Sequence, residues 1–131
     1  MIKFKNNSKK LEKEWQDLEH INPFLYNIIC FYNTFIYNIF QGKNTIITNI
    51  YRTKEEQEKI CKKAKVKFYK SVHCLWRGVD LRINLEDWQI KIMELLINNK
   101  FPYDKTRPNI KTFVRHNIGV GDHIHIQNYT T

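Results

Sequence analysis

Four residues near the middle and end of the chain carry the chemistry worth weighing first: His73, Asp80 seven residues later, and the pair His123 and His125. Two imidazoles and one carboxylate suit zinc, and three protein ligands leave a fourth position for water, as a catalytic rather than a structural site requires. Such an ion lowers the pKa of its bound water from 15.7 toward about 7 and polarises a carbonyl oxygen. Hydrolysis also needs a base. Asp122, in the turn before the His-x-His pair, is the candidate, and His123 beside it is placed to stabilise an oxyanion or trade protons. Ser71 has no nucleophile elbow around it and is expected to order the loop that presents His73. Cys74, the neighbour of His73, should point the other way in an extended loop and stay out of the site.

The elements around these residues explain how they would meet. Alternation sends His123, His125 and Gln127 to one face of a C-terminal strand and Ile124 and Ile126 to the other. Val79, Leu81 and Ile83 alternate with Asp80 and Arg82 in the same way. If the two strands are neighbours, Asp80 and a C-terminal histidine converge, with His73 reaching in from the preceding loop. A further strand is expected over 110–116, joined to the last one, 123–129, by a turn containing Gly119 and Gly121. His116 at its end and His20 in an N-terminal helix are expected to be plain surface or core residues.

The rest of the chain reads as scaffold. Leu11, Trp15 and Leu18 recur at helical spacing, and Asn22 followed by Pro23 supplies an N-cap and first-turn proline for an apolar helix that Gly42 should close. The β-rich run from Thr45 to Tyr51 leads straight to Arg52, and Thr53 with Glu56 forms a capping box for a helix bearing Gln57, Ile60, Cys61 and Ala64 on one side. Asn84 is expected to cap a last helix whose core stripe is Trp88, Ile92, Leu95 and Leu96. The fold class implied is α+β: N-terminal helices packed on a small antiparallel sheet that carries a mononuclear zinc site.

Size and composition set the bounds. At 131 residues, 42% hydrophobic and with only 4 Gly and 3 Pro, the chain is expected to be a single domain over 1–131, compact and monomeric. The net charge of +9 favours encounters with polyanions without choosing among nucleic acid, anionic lipid and wall polymers. The three cysteines, Cys30, Cys61 and Cys74, lack the paired spacing of a zinc knuckle or a disulfide framework and point to a reducing compartment, with Cys30 and Cys61 in the core. The first apolar run begins only at Phe24, so no secretory signal is read and synthesis in the cytoplasm is expected. Within that run Asn27, Thr34 and Asn38 fall on one helical stripe, which marks a core helix rather than a membrane span.

The segment Ser71-Val-His-Cys-Leu-Trp-Arg-Gly-Val-Asp80 resembles the Ser-x-His-x6-Asp signature of the zinc D-alanyl-D-alanine peptidases, which include VanX-type dipeptidases and phage L-alanoyl-D-glutamate endopeptidases. Tyr51-Arg52-Thr53 is similar to that family's Tyr-Arg-Ser/Thr segment, and Asp122-His-Ile-His125 to its C-terminal acid-x-x-His element. Together they span roughly residues 45 to 127, in the family's order. The resemblance implies that His73, Asp80 and His125 bind zinc, that Asp122 is the catalytic base, and that Arg52 grips the substrate's carboxylate or carbonyl oxygen, with Ser71 beside it. It also implies the substrate class, the stem peptides of bacterial peptidoglycan, reached with the help of another factor. Trp76 stands where the family usually has Gly, and is expected to narrow the cleft or stack on substrate; Gly78 stands where Ala is frequent. The His-x-His pair is also similar to the hedgehog amino domain and its relatives, some of which hold zinc without established hydrolysis. A silent zinc-binding module is therefore the alternative expectation, followed by a nucleic-acid binder, which has charge but no base-reading motif.

Overall fold

The computed structural model describes residues 1–116 and 121–129. Asn22 opens the longest helix, accepting a hydrogen bond from Leu25 N at its side chain while Pro23 occupies the first turn. This helix, α2 (Pro23–Ile39), follows α1 (Lys9–Ile21), which is capped by Ser8. Leu11, Trp15 and Leu18 of α1 and Leu25, Ile28, Ile29, Tyr32 and Ile36 of α2 are buried, whereas Asn27, Thr34 and Asn38 face solvent. The polar stripe of α2 is thus its outer face. Among the described residues no helix is long and apolar enough to cross a membrane.

Among the described residues five strands form one mixed sheet in the order β1-β2-β3-β5-β4, with β1 Ile2–Phe4, β2 Thr45–Asn49, β3 Gly78–Leu81, β4 Phe113–His116 and β5 His123–Gln127. The three pairs carrying the site, β2–β3, β3–β5 and β5–β4, are antiparallel as expected. The short β1 pairs parallel with β2, however, so the sheet as a whole is mixed rather than antiparallel. Ile47, Val79, Leu81, Phe113, Ile124 and Ile126 join the helices in one buried cluster. Each such side chain contributes roughly 1.5–3 kcal/mol by leaving water. The opposite sheet face is left for polar groups; a 3-10 turn at Val72–Leu75 packs against β3, and α3 (Lys54–Lys63) follows β2 in the chain.

The last helix, α4 (Asp87–Lys100), departs from expectation in two ways. Its cap is Glu86, in a capping box with Gln89, while Asn84 instead donates to Asn44 O at 2.8 Å. Starting at Asp87, the helix buries Ile90, Met93 and Ile97 and leaves Trp88, Ile92 and Leu95 exposed. Apolar residues lie on several sides of α4, so packing selects the buried stripe. Trp88 still finds an apolar neighbour, meeting Phe40 edge-on at 5.8 Å. Of the cysteines, Cys61 is buried and Cys30 only half-buried, and neither forms a disulfide.

Candidate metal centre

Strand register brings the expected ligands together. Asp80 pairs directly with His125 across β3 and β5, and alternation puts both side chains on the face opposite Val79 and Ile126. His73 arrives from the 3-10 turn, which Ser71 caps by accepting from His73 N at 3.2 Å. His73, Asp80 and His125 are all buried, and their ligand atoms lie within 4.8 Å of one another. A buried His/Asp set of this kind can hold a metal ion.

Hydrogen bonds to the outer ring nitrogens decide what faces inward. His73 Nδ1 lies 3.1 Å from the carbonyl oxygen of Ile50, which can only accept, so Nδ1 carries a proton and in the neutral ring Nε2 is bare. That bare Nε2 sits 3.2 Å from Asp80 Oδ2. For His125, Gln127 Nε2 donates to Lys111 O at 2.9 Å, which turns Gln127 Oε1 toward His125 Nε2 at 3.0 Å. In the neutral ring His125 therefore presents a bare Nδ1, 2.8 Å from Asp80 Oδ1. With both rings neutral, two lone pairs and a carboxylate thus converge on one point, and all three are acceptors. A cation would satisfy all three. The outer partners Ile50 O and Gln127 are of the kind that fix metal-bound imidazoles in their tautomers. Where no cation binds, a proton takes that place: burial alone would push the Asp80 carboxyl up, but hydrogen bonds donated by His125 and His73 outweigh that and hold it well below the usual carboxylate range. Asn49 Nδ2, brought beside Asp80 where the β2–β3 register slips, donates to Oδ2 at 3.5 Å.

Two more histidines reach the same carboxylate. His123 Nδ1 lies 2.9 Å from Gly121 O, so its Nε2 is bare and stands 3.6 Å from Asp80 Oδ1. His116, expected to be an ordinary surface or core residue, pairs with His123 across the β4–β5 hairpin, with ring centroids 4.5 Å apart. Asp80, His116 and His123 form a second group with ligand atoms within 4.8 Å. Burial, then the neighbouring His125 and His123, push His116 below the ordinary imidazole value. The signal for His116 was present in the hairpin register, which local periodicity alone does not supply. Cys74 belongs to neither group, and Gly119 of the expected turn lies outside the described residues.

A cleft of about 300 Å³ opens over the ligands, walled by Arg52, Tyr69, Lys70 and Val114. Arg52 sits at the start of α3, where the Thr53 and Glu56 capping box is fully formed. Its Nη1 donates to Gln57 Oε1 at 2.7 Å and to Ser71 Oγ at 3.5 Å, so Ser71 orders both His73 and the guanidinium. Asp122 lines an adjoining hollow with Arg52, Asp80 and His123. Its carboxylate is gripped by Arg115, with Nη2 to Oδ2 at 2.9 Å, and Arg115 also holds Asp87 at the start of α4 at 2.8 Å. That grip keeps the Asp122 carboxyl below its ordinary value.

Trp76 is absent from the residues lining the cleft; its indole stacks on Tyr51 at 4.6 Å and packs against the core cluster. Its backbone lies in the left-handed region, φ 58°, closing the 3-10 turn. Glycine would meet that requirement at no steric cost. Against family models, curated proteins and solved structures alike, the chain finds no match.

Proposed function

We propose that the protein is a zinc-dependent peptidase that hydrolyses stem-peptide bonds of bacterial peptidoglycan. The observation that carries this reading is the inward convergence of two imidazole nitrogens and a buried carboxylate beneath an open cleft. Imidazole and carboxylate together favour zinc over magnesium or calcium, which take oxygen donors. His73, Asp80 and His125 would hold the ion, which when bound supplies Lewis acidity toward a carbonyl oxygen and a water made acidic near neutral pH.

The chain's own groups supply the rest. Arg52 is always charged and presents a planar fork, suited to the carboxylate of a stem peptide or to its carbonyl oxygen. Gln57 and Ser71 hold that fork over the cleft. Lys70 in the same wall, and Lys5 and Arg82 in the adjoining hollow, add positive potential that attracts an anionic peptide. Asp122, in the adjoining hollow, would take the proton from the attacking water on its carboxylate, for which Arg115 would have to yield part of its grip. His123 directs its bare Nε2 into the same space. The substrate class rests on the ordered resemblance of the Ser71–Asp80, Tyr51–Thr53 and Asp122–His125 segments to the zinc D-alanyl-D-alanine peptidases.

Purified protein incubated with muropeptides should release new amino termini, lose that activity on chelation, and regain it when zinc is returned. No new termini from zinc-loaded protein would overturn the reading. One observation favours a second reading, a metal-holding module without hydrolysis: the ion pair that occupies Asp122. Asp122→Ala separates the two, because it abolishes cleavage in a peptidase and leaves partner binding intact in a silent module.

A further inference from the structure

The β4–β5 hairpin delivers more histidine to Asp80 than one tetrahedral ion can use. Four imidazoles approach this carboxylate, His73 and His125 in one group and His116 and His123 in the other. With both oxygens of Asp80 that makes six donor atoms, whereas zinc sites of this kind are almost always filled by four.

The second pair has the same marks as the first. His123 has its outer nitrogen committed to Gly121 O, so a bare Nε2 faces Asp80 Oδ1 at 3.6 Å. An ion bonded at about 2.0–2.1 Å to tetrahedral ligands sets its donors roughly 3.3 Å apart, close to this separation and to the 3.2 Å between His73 Nε2 and Asp80 Oδ2. His116 Nε2 is buried and has no hydrogen-bond partner among the described residues. A buried imidazole nitrogen without a partner costs free energy, and a ligand would satisfy it. Of the two oxygens of Asp80, Oδ2 faces His73, while Oδ1 is shared by His125 and His123.

We propose that Asp80 is a bridging carboxylate and that His116 and His123 hold a second divalent transition-metal ion beside the one held by His73 and His125. The inference rests on the first site being a metal site. Imidazole donors restrict the second ion to the zinc, cobalt, nickel and copper class. With a single carboxylate shared between two dications, this position binds more weakly than the first, and an anionic group of the substrate would complete it. Paired ions of this kind clamp both the attacking and the leaving oxygen in other hydrolytic centres.

Metal-free full-length protein titrated with zinc alone, with bound metal measured after equilibrium dialysis, tests this directly. Wild type should bind about two ions per chain in a tight and a weaker step, and His116→Ala should bind about one, with its tight step unchanged, as expected of two four-coordinate positions. One ion in wild type, with the same stoichiometry and affinity in His116→Ala, would overturn the second position and leave the first standing. No bound zinc in wild type would overturn both. Because His116→Ala could unfold the hairpin, cobalt-loaded wild type gives an independent reading by electron paramagnetic resonance. Adding the second equivalent of cobalt should diminish the signal through magnetic coupling across the bridge; a signal that simply doubles would overturn the proposal.

Discussion

Gly78 lies directly against the ring of His125: a Cβ at position 78 would stand 2.8 Å from His125 Cε1 and 2.7 Å from Val72 Cγ2. Gly78 and Gln127 face each other across β3 and β5, so this close approach is built into the register that positions the ligands. The absent side chain is what lets the imidazole lie flat enough to meet Asp80.

Gly78→Ala should therefore push His125 out of place while leaving the sheet formed. Overpacking of this kind costs about 1–3 kcal/mol, and a displaced ligand about 10–100-fold in metal affinity. Calorimetric zinc titration alongside a thermal melt checks both numbers. Unchanged zinc affinity would show that the ring does not need this space.

The outer partner of His125 is open to the same test. Gln127→Leu removes the acceptor that fixes the bare Nδ1 and should weaken zinc binding by about 10–100-fold with circular dichroism unaltered. An affinity equal to wild type would mean that the tautomer is set by something other than Gln127.

At Trp76 two opposed effects share one position. The left-handed backbone costs a non-glycine residue about 1–2 kcal/mol, and the stack on Tyr51 returns about 0.5–1.5 kcal/mol beyond area burial. Trp76→Ala loses the stack and keeps the strain, whereas Trp76→Gly loses both. Chemical denaturation should find the glycine variant about 1 kcal/mol more stable than the alanine variant. The reverse order would show that strain is not stored there.

Helix α3 gives a pH dependence whose sign follows from Glu56. Its carboxyl is held below the ordinary value, first by the Thr53 backbone N–H, which donates to Glu56 Oε1 at 3.0 Å. A depressed folded-state pKa means a contribution fully present above the unfolded value of about 4.3 and lost as pH falls through the lower folded value. Glu56→Ala should thus destabilise by about 0.5–1 kcal/mol at pH 7 and converge on wild type in acid. Helicity followed against denaturant at both pH values measures this; an equal penalty at both would remove the charge from the explanation.

The same helix aims Arg52 through Gln57. Arg52→Lys keeps the charge and loses the fork, so KM for a stem peptide should rise about 10–100-fold, the worth of one charge-assisted hydrogen bond, with zinc content unchanged. If kcat falls instead at constant KM, the guanidinium acts on the reacting carbonyl rather than on a remote carboxylate.

What could be read from the sequence was local. The Asn22-Pro23 cap, the Thr53-Glu56 box and the alternation that turns Asp80 and His125 away from Val79 and Ile126 depend on neighbours within a few residues, and they appear as expected. Features decided across the chain were less legible. The strand Ile2–Phe4 exists because Thr45–Ile47 offers it an edge, and α4 turns Ile90, Met93 and Ile97 inward because the sheet and α2 select that side. His116 joins the site only through its cross-strand pairing with His123. Arg115, which ties Asp122 to Asp87, had no local signature at all.

The most direct measurement is mass spectrometry of muropeptides digested by wild type and by His125→Ala in parallel, with the metal content of both proteins determined on the same samples. The account predicts zinc and new stem-peptide fragments with wild type, and loss of both with the variant. Zinc-loaded wild type that leaves every stem peptide intact would contradict it.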